Sequence, residues 1–414
     1  MSDLPLDLDL VRAQFPAFAG RDGGDAFFEN AGGSFACRQT IDALTAYYTD
    51  TKVQPYSAYA TSAAAGAAMD RARTRWAAAL GVAETEVVFG PSTSANAYVL
   101  AAAFGELLGP GDEVIVTNQD HEANTGAIRR VTQRAGATLI EWRIDPHTGL
   151  LDTDELASLI TSRTRLVTVP HASNVIGQEN DVAAVCVLAH DVGARVVVDG
   201  VAFAPHGLPD IAAIDADVYL FSLYKTYSVH QGLMVARNGL LDELPNQGHF
   251  FNADQPSKRL NPAGPDHAQV AAAGAVLDYV ELLDQAHEPA PAPSLGTACR
   301  RVAARWQAHE DGLTALLLGA LAEHANIRIL GAATVDDVPG HRCPTIAFVP
   351  RAERSTAVAQ RLIERGIKTN SGHFYAWRVL DALGIDPEVG VVRLSFVHYT
   401  SRDDVERAVA ALAP

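Results

Sequence analysis

A lysine and an aspartate stand at the ends of two apolar segments near the middle of the chain. Lys225 follows DVYLFSLY, and Asp199 follows ARVVV. Lysine is almost never fully buried without a partner, so Lys225 either extends its ammonium group to solvent or is a reactive group. A desolvated lysine of lowered pKa is the nucleophile that forms Schiff bases with carbonyl compounds. Asp199 taken alone fits a helix cap or a metal ligand.

The two residues together predict a particular cofactor. Pyridoxal phosphate needs a lysine for its aldehyde and an acid opposite its pyridinium nitrogen, because the acid keeps that nitrogen protonated and able to accept electrons. Lys225 and Asp199 follow what read as successive strands, and this spacing lets both side chains face one ring. We therefore expect pyridoxal 5′-phosphate as the cofactor.

A hydroxyl-rich turn offers a place for the cofactor's phosphate. Ser92, Thr93 and Ser94 follow the apolar segment EVVFG and open a helical segment, where free backbone N–H groups and the helix dipole attract an anion. Ser222, three residues before Lys225, adds a further hydroxyl. Hydroxyl residues also cap many ordinary helices, so the turn indicates a phosphate site only together with the lysine and the aspartate.

Four other polar side chains have two interpretations each. His121 could stack on a cofactor ring and act as acid or base, or it could bond to its own loop. Asn174 and Gln178 could bond the cofactor's phenolic oxygen or hold their loop. Arg393 could bind a substrate carboxylate, because guanidinium matches carboxylate geometry, or it could form a surface ion pair.

The elements that must position these residues alternate between short apolar strands and helical segments from residue 86 to residue 237. Continuous apolar runs are typical of strands covered on both faces, and the alternation predicts a mostly parallel α/β sheet. Ligands bind beyond the carboxyl ends of the strands in such sheets. The predicted strands are EVVFG, DEVIVTN, TLIEWRI, RLVTVPH, ARVVVDG, DVYLFS and GLMVAR.

The chain divides into three predicted parts. Residues 26–285 form the cofactor-binding large domain, and the proline-broken segment HEPAPAPS follows it. Residues 290–414, with strands near IRIL, TIAFVP and VVRLSF, form a smaller α+β domain. Residues 1–25 form an N-terminal segment that packs with the small domain.

Composition excludes several classes of protein. With 48% hydrophobic and 20% charged residues the 414-residue chain can bury a sizeable core, and its net charge of −17 argues against nucleic acid and anionic membranes as partners. Its four cysteines are far apart, and its acidic start lacks the pattern of a signal peptide. We expect no metal site, no disulfide framework, no membrane span and a cytoplasmic location.

Motifs in order along nearly the whole chain resemble those of the class V aminotransferase family, in the branch of cysteine desulfurases and selenocysteine lyases. They are ENAGG at residues 29–33, DHEAN, HASNVIG, VVVDG, SLYK and VVRLSFVHYTSRDDVERAVAAL. The resemblance implies an α/β fold of the fold-type-I pyridoxal phosphate-dependent transferases. It further implies a seven-stranded, mostly parallel sheet in the large domain, a smaller α+β C-terminal domain and a homodimer.

The resemblance also implies roles for individual residues. Lys225 matches the Schiff-base lysine, Asp199 the partner of the pyridinium nitrogen and His121 the ring-stacking histidine. The phosphate-binding positions correspond to Thr93, Ser94 and Ser222.

Four more positions match residues that contact the substrate. Asn174, which also borders the cofactor, and Arg393 match contacts to the substrate carboxylate. Asn30 and Ala31 match an N-terminal substrate loop.

The chain departs from the branch where sulfur chemistry would take place. Desulfurases carry a reactive cysteine in the loop that reads TNSGHFYAWRVL here, and Tyr375 stands at its position. Tyr375 and His373 of this loop are candidate substrate contacts, but tyrosine cannot form a persulfide. Asn370 replaces a usual arginine, Ala202 a usual glutamine and Tyr224 a usual histidine.

We therefore expect an enzyme that acts on an amino acid or a cysteine-type conjugate, with cleavage of the carbon–sulfur bond by β-elimination and without an enzyme persulfide. The alternatives are an aminotransferase or an epimerase of a small amino-acid substrate, such as one in secondary metabolism, and a non-catalytic protein with the same fold. A nucleotide-binding protein lacks support, because neither GxGxxG nor GxxxxGK[ST] follows the early strands.

Overall fold

Seven strands form the central sheet. The computed structural model describes residues 4–20, 24–334 and 341–412. The central sheet has the order β2-β8-β7-β6-β5-β3-β4, and its members are the seven strands that the apolar runs predict. The strands of the described residues are β1 (Ala26–Phe27), β2 (Val87–Gly90), β3 (Glu113–Thr117), β4 (Thr138–Trp142), β5 (Thr164–Pro170), β6 (Arg195–Asp199), β7 (Val218–Ser222), β8 (Gly232–Ala236), β9 (Ile327–Ile329), β10 (Thr345–Pro350), β11 (Ile367–Lys368), β12 (Asn370–Gly372) and β13 (Val391–Ser395).

The central sheet is mostly parallel, as predicted. Strands β3 to β7 run parallel to one another, and β8 runs antiparallel to both β2 and β7. Every residue of β2, β3, β7 and β8 is buried, because helices cover both faces. None of the helices in the described ranges is long and apolar enough to cross a bilayer.

The helices connect the strands, and several of them begin at a residue whose side chain caps the first turn. Ser92 caps α4, for example, and its Oγ accepts a hydrogen bond from the Ala95 N–H at 3.1 Å. The α-helices of the described residues are α1 (Leu8–Ala13), α2 (Arg38–Asp50), α3 (Ala60–Leu80), α4 (Thr93–Leu107), α5 (Glu122–Ala135), α6 (Thr153–Leu159), α7 (Val182–His190), α8 (Ile211–Ile214), α9 (Asn238–Glu243), α10 (Pro256–Arg259), α11 (His267–Ala273), α12 (Val276–His287), α13 (Leu295–Ala322), α14 (Ser355–Glu364), α15 (Trp377–Ala382) and α16 (Arg402–Leu412).

A second, smaller sheet follows the proline-broken segment. It has the order β12-β13-β10-β9 with antiparallel pairs, and a core of Leu317, Phe348 and Leu394 packs between it and the helices α13, α14 and α16. This is the smaller α+β unit that the sequence predicts. Strands β1 and β11 add a short parallel pair, with Ala26 opposite Ile367.

The N-terminal segment contacts both parts of the molecule. Arg12 donates from Nε to the Tyr399 carbonyl at 2.9 Å and pairs with Asp404 of α16. Phe15 packs edge-on against Tyr227 and Tyr279, at centroid distances of 5.8 and 5.3 Å. The predicted domain boundaries at residues 1–25, 26–285 and 290–414 stay a prediction.

The loop of residues 171–179 joins the large sheet to the smaller unit. The Cys343 N–H donates to the Gly177 carbonyl at 2.9 Å, and Gln178 donates from Nε2 to the His341 carbonyl at 3.3 Å. Gly177 has a φ of +71°, and a Cβ at this position would lie 2.5 Å from the Cys343 carbonyl oxygen, so only glycine fits. The contact holds Asn174 of this loop between the two units.

Candidate active site

A cavity opens beyond the carboxyl ends of the parallel strands, where the topology predicts a ligand site. The starts of α4 and α5, the end of β6 and the turn after β7 meet there. Seven residues predicted from the sequence line it together: Thr93, Ser94, His121, Asn174, Asp199, Ser222 and Lys225.

Lys225 ends the short 3₁₀ turn Leu223–Lys225 that follows β7. Burial, together with the positive charge of Arg393, lowers the pKa of Lys225 to about 8, although Asp199 opposes the shift. The Lys225 amine is therefore neutral far more often near physiological pH than the amine of an exposed lysine, as a nucleophile or base requires.

Asp199 ends β6, and its neighbour across the pair with β7 is Leu220. Its Oδ1 accepts a hydrogen bond from the Val201 N–H at 2.9 Å. The Oδ2 oxygen makes no hydrogen bond within the described residues, and the side chain lines the cavity. Burial raises the pKa of Asp199, while the Val201 N–H and Lys225 oppose the rise. A buried carboxylate of this kind favours a cationic N–H partner.

A cradle for an anion lies at the start of α4. The first N–H groups of a helix lack intrahelical partners, and here they belong to the turn of Thr93 and Ser94 that lines the cavity. Thr93 Oγ1 and Ser222 Oγ lie 2.7 Å apart in the same wall. The turn passes directly over Gly232 of β8, where a Cβ would lie 2.3 Å from the Ser92 carbonyl carbon. Glycine at 232 is what allows the turn to pack this close.

His121 caps α5 and is held as a neutral ring. Its Nδ1 accepts a hydrogen bond from the Ala123 N–H at 3.0 Å, which places the proton of the neutral imidazole on Nε2. Burial, together with the positive charges of Lys225 and Arg393, lowers the pKa of His121 to about 3. A neutral, fixed imidazole in this wall suits stacking on an aromatic ligand.

Arg393 is buried behind the cavity. Its Nη1 donates to the Asn174 carbonyl at 2.9 Å, and its guanidinium carbon lies 3.8 Å from the centroid of the Phe374 ring. Arg393 forms no salt bridge within the described residues and is 4% exposed, so it is not the surface ion pair considered from the sequence. Burial lowers the pKa of Arg393 to about 10, which Glu29 opposes.

Asn174 connects this arginine to the cavity. Its Nδ2 donates to the Phe374 carbonyl at 2.9 Å, and its Oδ1 is buried without a hydrogen bond in the described part of the chain. An unpaired buried carbonyl oxygen is costly, and this one belongs to a residue that lines the cavity. It is an acceptor available to a bound ligand.

A second cavity adjoins the first and shares Asn174, Ala202 and Lys225 with it. Asn30 and Ala31 line this second cavity, as the predicted N-terminal substrate loop requires. The Ala31 N–H donates to Ser395 Oγ at 2.9 Å, which attaches the loop to β13.

Tyr375 and His373 lie in the loop between β12 and α15 and line neither cavity. Tyr375 is 67% exposed with a φ of 57°, and its ring centroid lies 5.3 Å from that of His121. The Glu122 N–H donates to the Tyr375 carbonyl at 2.8 Å. The structure therefore places Tyr375 beside His121 and both candidate substrate contacts outside the two cavities, and their role stays a prediction.

The other departures from the family pattern have clear structural consequences. Asn370 donates from Nδ2 to Glu29 Oε1 at 2.8 Å and so offers no cation to a substrate. The Tyr224 ring stacks on His230 with a centroid distance of 4.6 Å. Ala202 lies between the two cavities and lines both of them, and its methyl group offers no hydrogen bond to a ligand.

Sequence reasoning missed two residues. His206 lines the second cavity beside Lys225. Asp120 lies behind His121 and accepts hydrogen bonds from Thr117 Oγ1 and Asn124 Nδ2, both at 2.7 Å, and burial raises the pKa of Asp120 to about 7. Both residues lie in polar segments that follow predicted strands, His206 in DGVAFAPH and Asp120 in NQDHEANTG. A single histidine or acid in such a segment cannot be told from an ordinary polar residue by sequence alone.

The donor set fits pyridoxal 5′-phosphate. Lys225 would bind its aldehyde, and the free oxygen of Asp199 would accept a hydrogen bond from its protonated ring nitrogen. His121 would stack on one face of its ring. The start of α4 and the hydroxyls of Thr93 and Ser222 would hold the phosphate. The described residues contain no cluster of three histidine, cysteine or acidic side chains able to hold a metal ion.

Known proteins resemble this chain over its full length. The family model described as Aminotransferase class-V matches residues 26–288 and 295–408. The chain belongs to the class V aminotransferase family. Aminotransferase-like protein FGM3 of Gibberella zeae is 33% identical and covers 100% of this chain and 99% of its own, and a cysteine desulfurase of Dickeya dadantii is 30% identical and covers 98% and 96%.

A solved structure shows the same architecture. The cysteine desulfurase CsdA of Escherichia coli superposes with a TM-score of 0.82 at 25% identity and covers 99% of this chain and 98% of its own. The fold is therefore the fold-type-I architecture of the desulfurase-like branch, and the chain is an enzyme that depends on pyridoxal 5′-phosphate.

Replacement of Gly232 by alanine tests the phosphate cradle. The added Cβ must displace the backbone of Ser92 and Thr93, so we expect the variant Gly232→Ala to bind pyridoxal 5′-phosphate about tenfold more weakly or worse, a change of about 1.4 kcal/mol or more. Titration of the apoprotein with the cofactor, followed by absorbance, measures this. The control is Gly239→Ala in α9, where nothing lies within 4 Å of the new Cβ. Unchanged affinity in a folded Gly232→Ala protein would contradict the assignment.

Proposed function

We propose that the protein cleaves the bond between the β-carbon of an amino acid and a sulfur or other heteroatom, by β-elimination and without an enzyme persulfide. The substrate class is an amino acid or a cysteine-type conjugate. The observation that supports this is the combination of a poised Lys225 with the absence of an accessible thiol. All four cysteines lie in the described residues, and all are at most 4% exposed: Cys37, Cys186, Cys299 and Cys343.

None of these thiols suits sulfur transfer. Burial raises the pKa of each of the four thiols, whereas a sulfur acceptor reacts as an exposed thiolate. Tyr375 occupies the loop above His121, and its phenol cannot accept sulfur. The sulfur or other group would therefore leave directly to solvent or to a second molecule.

Each residue around the cavity has a separate role in the proposed reaction. Bound pyridoxal 5′-phosphate supplies an electron sink for the charge left when a bond at the substrate's α-carbon breaks. Lys225 Nζ, whose pKa burial lowers to about 8, takes the proton from the α-carbon. Asp199 keeps a proton on the ring nitrogen opposite it, and His121 limits the movement of the ring. Arg393, which lies behind Asn174 under the Phe374 ring, supplies a positive charge close to the cavity that would attract the substrate carboxylate.

Transamination is the second candidate, and the similarity to Aminotransferase-like protein FGM3 of Gibberella zeae favours it. Lys225 would then deliver the α-proton to the carbon that comes from the cofactor's aldehyde. The two reactions differ in their need for a second substrate, because only transamination consumes an α-keto acid acceptor. Epimerisation would return the proton to the α-carbon from the other face.

Incubation of the holoenzyme with cysteine and S-substituted cysteines, without any keto acid, separates these reactions. We expect pyruvate, ammonia and the sulfur product in equal amounts. The variant Cys343→Ala is a matched control, because this thiol is completely buried, two residues before Thr345 of the second cavity, and should not be needed for sulfide release. Turnover only with an added keto acid would establish transamination, and loss of sulfide release in folded single-cysteine variants would contradict the absence of a persulfide.

We also propose a homodimer in the cytoplasm. Phe250 and Phe251, which follow α9, are 87% and 67% exposed, and neighbouring exposed aromatic residues favour a protein interface. Four unpaired cysteines favour a reducing compartment. Sedimentation of the purified protein should give about twice the mass of one chain, and a monomer at micromolar concentration would contradict the dimer.

A further inference from the structure

A buried acid–imidazole pair forms part of the wall of the second cavity. His206 Nδ1 and Glu310 Oε2 lie 2.9 Å apart, and Glu310, on α13, is completely buried. His206 is 9% exposed and lines the cavity together with Lys225 and Asn30. The pair thus adjoins the second cavity, where the part of the proposed substrate that lies beyond the cofactor would bind.

The free ring nitrogen of His206 is the atom available to a ligand. His206 Nε2 makes no hydrogen bond within the described residues, while Nδ1 is fixed by the carboxylate. Pro205, the preceding residue, is held in place because its carbonyl accepts a hydrogen bond from the Tyr227 hydroxyl. The ring therefore has one orientation and one unoccupied position.

His206 Nε2 carries a hydrogen whether the proton shared between Nδ1 and Glu310 lies on the ring or on the carboxyl group. Burial disfavours a net charge, so the pair keeps one proton between Nδ1 and the carboxylate and another on Nε2. If the shared proton is on the ring, His206 is an imidazolium ion with Nε2–H. If the shared proton is on Glu310, the neutral ring accepts from the acid at Nδ1, and Nε2 still carries its hydrogen.

The two sides of the cavity are thus suited to opposite proton transfers. Burial lowers the pKa of Lys225, which favours the neutral base, and burial raises the pKa of Glu310, which favours retention of the shared proton. Enzymes commonly separate a base and an acid in this way. The described residues near the dyad also include His398, a neutral ring whose pKa burial lowers well below its usual value, and the ion-paired His341.

We propose that His206, oriented by Glu310, donates its Nε2 proton to the group that leaves the substrate's β-carbon. This proposal rests on the proposed β-elimination. The bond from the β-carbon to the heteroatom breaks, its electron pair stays on the heteroatom, and the proton of Nε2 joins that atom. The α-proton goes to Lys225 Nζ, and the electron pair of the broken C–H bond forms the double bond between the α- and β-carbons. No oxidant or reductant is needed.

Leaving groups that need a proton distinguish this role from a structural one. A thiolate of high pKa leaves much faster when it is protonated, whereas chloride leaves without a proton. The test compares S-methylcysteine with β-chloroalanine in the holoenzyme and in the variant His206→Gln. We expect the variant to lose about 10²- to 10⁴-fold in kcat with S-methylcysteine, which is the usual contribution of a general acid, and less than about tenfold with β-chloroalanine.

Two further variants complete the comparison. Glu310→Gln keeps the shape of the pair and removes its acid, so it should show the same dependence on the leaving group to a smaller degree. His324→Gln, just beyond the end of α13, is the matched control and should affect neither substrate. Equal losses with both substrates in His206→Gln, or no loss with either, would overturn the proposal.

A readout that does not depend on turnover tests the pair itself. The Nε2 proton of His206, present in both forms of the pair, should give a ring-nitrogen resonance in the range of a protonated nitrogen in ¹⁵N-histidine-labelled protein. It should vanish in His206→Gln and shift upfield in Glu310→Gln, but stay in His324→Gln. Absence of this resonance in the wild type would overturn the proposal. If the wild type releases neither chloride nor methanethiol, the proposed β-elimination is wrong, and the role of His206 falls with it.

Discussion

The pairing of β6 with β7 is the constraint on which the rest of the site depends. Because the two strands are parallel and adjacent, Asp199 at the end of one and Lys225 just beyond the end of the other reach the same cavity. Burial there lowers the pKa of Lys225 to about 8 and raises that of Asp199. Each shift has a chemical use: a neutral lysine can act as a base or a nucleophile, and a buried carboxylate gains most from a cationic partner such as a protonated ring nitrogen. The strands themselves are buried on both faces, so the helices that cover them fix the geometry.

The sequence predicts this part of the molecule well for physical reasons. Continuous apolar runs specify buried parallel strands, and parallel strands bring their carboxyl ends to one edge, so Thr93, His121, Asp199 and Lys225 converge without any knowledge of loops. The sequence could not predict how loops close over that edge. The position of Tyr375 depends on two successive residues with positive φ, at 49° and 57°, and on its contact with His121. The covering of Arg393 by Phe374 depends on the same loop.

Contacts between segments that are far apart in the chain could not be predicted from the sequence either. His206 and Glu310 are 104 residues apart and meet only because α13 packs against the large domain. Neither residue lies in a pattern that separates it from an ordinary buried histidine or acid. His206 and Ala202 both line the second cavity, beside Lys225. The molecule thus combines a cradle for the cofactor with a second cavity. In that cavity a proton from His206, rather than a cysteine, would assist the leaving group.

Borohydride reduction of the holoenzyme followed by peptide mapping tests the central claim, that Lys225 is the residue that holds the cofactor. The chain has four lysines, and the other three, Lys52, Lys258 and Lys368, are exposed. The account predicts that the reduced pyridoxyl group is found on Lys225 alone, and that the variant Lys225→Arg retains no covalent label. Label on one of the exposed lysines, or no label on Lys225 in protein that binds the cofactor, would contradict it.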